Sequence, residues 1–311
     1  MPLIETRRDA FAAALCTDIL GYKGGAKPTM SDSSSAVSVE IGRRFLARLA
    51  AAGFVPAKGV SLKGQEVGKR FDVHVREYVD QAFVNGTASL VSVSPATDFH
   101  CRSGVHIRDT AQYAHLEILR QIGEDPAVTT SAVARQQFRA VTASDYQVQA
   151  DVVVLRRPTP ATTAPRTGKL YSSSSGLAMS TAVLNRRPGQ HDLLHANVSC
   201  KWTFRSDRAQ NIRTEAIALM RHRKGRMPHM VVVTAEPLPS RLRSIAIGTG
   251  EVDCVYHIGL DFLADALADS LAAATTTQRK KALSDQIGQF ELMRDGDRLR
   301  DVSDLPFDLC S

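Results

Sequence analysis

Lys201 follows Ser199 at the two-residue spacing that puts both side chains on one face of an extended segment. Asp151 opens a second apolar run, Asp151-Val152-Val153-Val154-Leu155, and Glu215 lies 14 positions beyond Lys201, where the sequence has turned helical. An Asp, a Glu and a Lys gathered at one sheet edge suit the hydrolysis of a phosphodiester. Carboxylates can hold one or two Mg²⁺ ions, which lower the pKa of a water and stabilise charge building on the phosphate. The lysine can orient or activate that water and add electrostatic stabilisation. Each residue alone has an ordinary explanation. An Asp before a strand is commonly a turn residue, and a Lys in a strand commonly faces solvent.

The next residues narrow the chemistry. Arg205-Ser206-Asp207-Arg208 sits where an extended segment gives way to a helix, with Ser206 or Asp207 able to serve as N-cap. Arginine pairs bidentately with guanine O6 and N7, and Asp accepts from cytosine N4, so Arg205, Asp207 and Arg208 match G and C in a major groove. Two symmetric subunits carrying such a set would read a palindrome of C and G. A capped helix with surface arginines would place the same residue types there.

These groups need strands and helices to position them. Residues 5–20 and 37–52 have helical periodicity, separated by the Gly/Ser/Pro-rich stretch YKGGAKPTMSDSSSA. Residues 65–84 read as an amphipathic helix with Phe71, Val75, Tyr78 and Phe83 as its apolar stripe. Further helices are expected at 111–122 and 130–138. Strands are expected at 151–155, 195–204, 229–234 and 251–257, with helices at 207–221 and 259–293. Residues 157–180, rich in Pro, Thr and Ser, read as a long connection or a ragged hairpin. Ser172 to Ser175 lie in that stretch without a GxSxG nucleophile elbow, and read as loop. The order implies an α/β chain with a central mixed sheet flanked by helices. We expect one domain over 1–311: a mainly helical part to residue 140, a catalytic core over 141–260, and C-terminal helices over 261–311.

The net charge of +7 and pI near 9.3 suit a polyanionic partner such as nucleic acid. The five cysteines are scattered and never spaced as CxxC, so neither a disulfide framework nor a structural zinc site is expected. No apolar run approaches the roughly 20 residues that span a bilayer. The N-terminus lacks the apolar core of a signal peptide, and a cytoplasmic protein is expected. His100 and His106, near Asp98 and Cys101, fit no zinc pattern and read as loop residues. The basic cluster Arg221–Arg226 would complement a helix dipole or touch phosphates. Trp202 alternates away from Lys201 and reads as core.

The stretch from Ser199 to Tyr256 resembles the core of NgoMIV-type restriction endonucleases, enzymes of the CCGG family. Asp151, Ser199, Lys201 and Glu215 match that family's order Asp…Ser-x-Lys…Glu, with the acidic residue moved onto the helix after the lysine. Arg205, Asp207 and Arg208 match its CCGG-reading Arg-x-Asp-Arg. The resemblance implies a PD-(D/E)XK nuclease core and a type II restriction endonuclease that cuts double-stranded DNA. It also implies Mg²⁺ at Asp151 and Glu215, with the Cys200 carbonyl as a further ligand, and a homotetramer of two back-to-back dimers. Upstream, Gly64-Gln65 and Gly68-Lys69-Arg70-Phe71-Asp72 resemble the family's helix that adds one more carboxylate. The family has Glu where Asp72 stands, and Glu77 one turn on is the rival. Asp32 and Gln65 resemble the pair that reads an outer G·C, which would make the full site GCCGGC. Asp32 as a turn or helix cap and Gln65 as a solvated residue are the other readings. Two other functions remain open. A DNA-binding protein without cleavage would not need Lys201 beside carboxylates. A hydrolase of small phosphoesters would leave Arg205, Asp207 and Arg208 idle.

Overall fold

In the computed structural model, residues 2–24, 27–90, 99–117, 121, 148–157, 191–204, 206–248 and 250–310 are described, except the side chains of 90 and 206–208. The periodic N-terminal segments fold as helices α1 (Leu3–Asp18) and α2 (Ala36–Ala51). Ser35 caps α2, its hydroxyl accepting the Ser38 N–H at 3.2 Å. The intervening stretch is not wholly loop. Strands β1 (Gly21–Lys23), β2 (Lys27–Pro28) and β3 (Ala57–Lys58) form a small sheet in the order β2-β1-β3.

Helix α3 (Gly64–Val79) runs into a π-helical segment at Asp80–Thr87. Phe71, Val75, Tyr78 and Phe83 form the expected buried stripe, each at most 3% exposed. That stripe anchors the helix, because each such side chain contributes roughly 1.5–3 kcal/mol on burial.

A six-stranded mixed sheet follows in the order β4 (Phe99–His106), β5 (Gln149–Arg156), β6 (Leu193–Lys201), β7 (His229–Thr234), β8 (Cys254–His257) and β9 (Leu299–Asp301). β4, β5 and β6 pair antiparallel, while β6 to β9 pair parallel. The sheet therefore takes an edge strand from each flank of the 141–260 core. β8 is shorter than the expected 251–257, because Arg298 engages the Val252 and Asp253 carbonyls at 2.8 Å.

Helix α4 (Ser206–His222) connects β6 to β7, and α5 (Pro239–Ala246) lies between β7 and β8. The helical tail is broken into α6 (Leu260–Ala272) and α7 (Thr277–Asp295), then closes with α8 (Leu305–Asp308) after β9. Thr276 makes the break by capping α7, its hydroxyl accepting the Arg279 N–H at 3.3 Å. Of the helix expected at 111–122, residues 111–114 form turns and 115–117 are helical. The expected helix 130–138 and the segment with Ser172–Ser175 lie outside the described residues.

The strand pleat sends side chains into two apolar clusters. Val152, Val154, Val198 and Cys200 pack with Val67, Phe71 and Val75 of α3. Val153, Leu155 and Leu194 pack with Ala216 and Leu219 of α4. The C-terminal end of β6 thus lies between α3 and α4.

Candidate active site

Past the Val152–Val198 pair, Asp151 turns its carboxylate to β6. Its Oδ2 accepts the Cys200 N–H at 2.9 Å and also receives the Lys201 ammonium in an ion pair. Both side chains are largely withdrawn from solvent, Lys201 at 17% and Asp151 at 25% exposure. Burial alone would lower the Lys201 pKa, but the charge and hydrogen bond of Asp151, then the charge of Glu215, raise it above the ordinary lysine value. Lys201 is therefore an ammonium at neutral pH. Ser199, buried at 5% exposure, is in register with Val232 on the Lys201 face of β6.

Two further carboxylates share this electrostatic neighbourhood. Glu215 on α4 has its pKa raised by burial, with Lys201 pulling it down and Asp151 pushing it up. Asp72 on α3 is pushed up to about 7, first by burial, then by the charge of Asp151, with Lys201 offsetting part of the rise. Two strands and two helices thus bring Asp151, Lys201, Glu215 and Asp72 to one place. Glu77, by contrast, is half-exposed and ion-paired with Arg76 at 3.2 Å.

The donor chemistry is that of a hard cation. The Cys200 thiol is fully buried on the opposite face, and burial holds its pKa well above the usual thiol value, followed by the charges of Asp151 and Asp72. A thiolate ligand is therefore disfavoured, leaving carboxylate oxygens and the backbone. Among the described residues, no three His, Cys, Asp or Glu side chains converge tightly enough to enclose an ion. Mg²⁺ does not need such a cage, because it keeps several waters and binds through one or two carboxylates. Asp151, Glu215 and the Cys200 carbonyl fit that requirement in kind.

The residues expected to read bases divide into two groups. Ser206, Asp207 and Arg208 form the first turn of α4, close in sequence behind Lys201. Their side chains, and Arg205 altogether, lie outside the described residues. Asp32 borders a cleft of about 510 Å³ whose walls include Gly64, Val67, Trp202, Thr203 and Arg241. Gln65, adjoining Gly64 at the start of α3, is exposed. Asp32 does not cap α2. Its Oδ1 accepts the Ser34 amide at 3.0 Å and hydroxyl at 2.7 Å, while Oδ2 pairs with Arg241. The Ser34 hydroxyl and amide, then Arg241, hold its carboxyl well below the usual carboxylate range. Sequence reasoning found neither Arg241 nor the fully buried Glu236, which faces it at 3.9 Å. Asp32 and Arg241 are 209 positions apart, and only α5 packing beside the cleft brings them together.

The family model described as NgoMIV restriction enzyme matches residues 14–311 of this chain. The chain is also similar to the type II restriction enzyme NgoMIV of Neisseria gonorrhoeae. The two are 38% identical over 252 residues, which is 80% of this chain and 79% of the gonococcal protein. This chain belongs to the NgoMIV restriction enzyme family. It is a restriction endonuclease, a site-specific deoxyribonuclease. The mixed sheet flanked by helices is consistent with the restriction-endonuclease-like fold.

Other groups find structural roles in this NgoMIV-family chain. His100 and His106 lie on β4 rather than in a loop, and His100 Nε2 is 3.2 Å from Asp192. Pairing with β5, from Phe99–Arg156 to His106–Gln149, makes that segment a strand. Arg223 returns its guanidinium to the Met220 carbonyl at the end of α4, which fits the helix-dipole reading of the basic cluster. Trp202 is core, edge-on to Phe71 at 5.1 Å, with its indole N–H donating to the Thr29 carbonyl at 3.2 Å. No helix among the described residues is long and apolar enough to cross a membrane.

Proposed function

We propose that this enzyme hydrolyses double-stranded DNA at a palindrome with a CCGG core, GCCGGC in full, by direct attack of water in the presence of Mg²⁺. The observation that carries this reading is the meeting of Lys201 with Asp151, Glu215 and Asp72 beside the first turn of α4. Mg²⁺, which Asp151, Glu215 and the Cys200 carbonyl would hold, supplies Lewis-acid activation of water and neutralises charge on the phosphate. Lys201, kept charged, orients the attacking water and stabilises the scissile phosphate as charge builds on it. Asp72 contributes a further carboxylate from the α3 side, and Ser199 positions water at the outer edge of the site. Water is the nucleophile, so no covalent enzyme intermediate forms.

Arg205, Asp207 and Arg208 are assigned to the inner CCGG, the arginines to guanine edges and Asp207 to cytosine N4. Asp32 and Gln65 are assigned to the outer G·C, Asp32 through cytosine N4 and Gln65 through guanine N2. Arg241, paired with Asp32 in the same cleft, offers a guanidinium to the neighbouring guanine. A palindrome calls for at least a dimer, and the family resemblance supports two back-to-back dimers working in the cytoplasm.

The test is digestion of a plasmid of known sequence with and without Mg²⁺, followed by sequencing of the ends. Ends mapping to GCCGGC alone support the reading, and efficient cutting at ACCGGT or TCCGGA overturns the outer assignment. Sedimentation equilibrium, with rates on one-site and two-site plasmids, tests the assembly. A dimer cutting both plasmids equally fast overturns the tetramer.

A further inference from the structure

Glu236 is 0% exposed, and a buried carboxylate is costly unless its oxygens find donors. Here both do. Oε2 accepts the Phe204 N–H at 2.8 Å, and Oε1 accepts the Leu238 N–H at 3.1 Å. Phe204 is the last residue before Arg205, where the chain leaves β6 for α4. Leu238 is the N-cap residue of α5, a helix with no side-chain cap of its own, and α5 carries Arg241. The Arg241 guanidinium approaches Oε2 at 3.9 Å and pairs with Asp32 on its other side.

The surrounding backbone is braced as well. The Ala235 N–H donates to the Trp202 carbonyl at 3.2 Å, and the Glu236 N–H donates to the Thr234 hydroxyl at 3.1 Å. Pro237 and Pro239 each fix a φ angle in the turn Glu236-Pro237-Leu238-Pro239. One side chain therefore clamps two chain segments that have no sequence proximity. One segment leads into the residues assigned to the inner CCGG, and the other carries the partner of the residue assigned to the outer G·C.

We infer that Glu236 is a positioning residue for site recognition, its carboxylate fixing the α4 entry at Phe204 and the α5 entry at Leu238 in one relative placement. This rests on the recognition roles proposed above for Arg205, Asp207, Arg208 and Asp32. Both bonds run from backbone N–H groups, so the clamp needs an acceptor at each oxygen. Glutamine keeps the volume but offers one acceptor and an NH₂ that faces a donor. Aspartate keeps the charge but is too short to serve both amides.

The experiment measures affinity of the full-length wild type, Glu236→Gln and Glu236→Asp by anisotropy in Ca²⁺, with thermal melts of each. The probes are GCCGGC, ACCGGT and scrambled duplexes of equal length. We expect both variants to lose about tenfold or more of the preference for GCCGGC, the scale of a buried hydrogen bond left unmade. Their affinity for the scrambled duplex should stay within a few-fold of wild type. A purely structural role would lower the melting temperature and the active fraction but leave the ratio between duplexes unchanged, and an unchanged ratio overturns the inference. Failure of both variants to fold would assign the carboxylate to the core and likewise overturn it. Wild type showing no preference among the duplexes would instead refute the recognition reading itself, so the two failures are distinguishable.

Discussion

Asp151 and Lys201 share one carboxylate oxygen across the antiparallel pair β5–β6, and the Cys200 amide donates to the same atom. The ion pair keeps Lys201 charged against the pull of burial and offsets part of the repulsion among Asp151, Asp72 and Glu215. Lys201→Ala should cut the single-turnover cleavage rate by about 100-fold or more, the usual scale for a lost charge-stabilising group. Affinity for a GCCGGC duplex in Ca²⁺ should remain within a few-fold. Quench-flow cleavage alongside anisotropy measures both. A variant that cuts at nearly the wild-type rate would remove Lys201 from the chemistry.

Asp72 and Glu77 lie on the same helix, where the charges of Asp151 and Lys201 act on Asp72 and Glu77 is half-exposed and paired with Arg76. Asp72→Asn should lower the maximal cleavage rate or raise the Mg²⁺ midpoint by about tenfold, because an amide is a poorer partner for a hard cation than a carboxylate. Glu77→Gln should match wild type within about twofold, as expected for an exposed residue paired on the surface. Rates over a Mg²⁺ titration decide between them. The reverse ranking would move the extra carboxylate to Glu77.

Arg241→Ala and Asp32→Asn each break the pair in the cleft. Each should cost about 1–3 kcal/mol of discrimination between GCCGGC and ACCGGT, the range for one bidentate base contact. Competition binding at several salt concentrations gives both the discrimination and the salt slope. Equal weakening on every duplex with a shallower slope would make Arg241 a phosphate contact instead.

Strands β5 and β6 were legible because their signals are local. The run Val152-Val153-Val154 is buried on both faces, and the alternation from His195 to Lys201 puts Lys201 on the face of Ser199. β4 was not, because Arg102, Ser103 and Gly104 are exposed on an edge strand and mimic a loop, and only pairing with β5 gives them order. β9 is three residues long and too short for a periodic signal. The break between α6 and α7 had a cue in Thr275-Thr276-Thr277, where β-branched residues favour a cap over a continuing helix. Local signals placed Asp151, Lys201 and Glu215 on a strand, a strand and a helix, and the family resemblance singled them out. Arg241 and Glu236 could not be found this way, since their contacts arise where the chain around the start of α5 meets the segment after β6 and the one before α2. Sequence left Asp72 and Glu77 open, because both lie on α3 and only three-dimensional packing separates them.

Acid stability gives a test of the core that is independent of DNA. His257, 1% exposed at the end of β8, stands edge-on to Phe45 at 5.5 Å and accepts the Gly259 N–H through Nδ1 at 3.2 Å. Burial is the main cause that lowers its pKa to about 4 from an ordinary 6.5, with the charge of Asp301 opposing part of the fall. The folded protein therefore holds this imidazole neutral where the unfolded chain would protonate it. Its contribution is intact above pH 6.5 and is lost progressively as pH falls toward 4, at up to about 1.4 kcal/mol per pH unit. His195, also lowered to about 4, acts in the same direction, while Glu236, raised to about 7, acts in the opposite one. Both remain in a His257→Asn variant, so the difference between wild type and variant isolates His257. Asparagine can still accept the Gly259 N–H through its amide oxygen. Thermal melts should show wild type losing several °C more than His257→Asn between pH 6.5 and 4.5, with the gap constant above pH 7. Parallel curves across that window would mean that His257 is protonated as readily in the folded protein as in the unfolded chain.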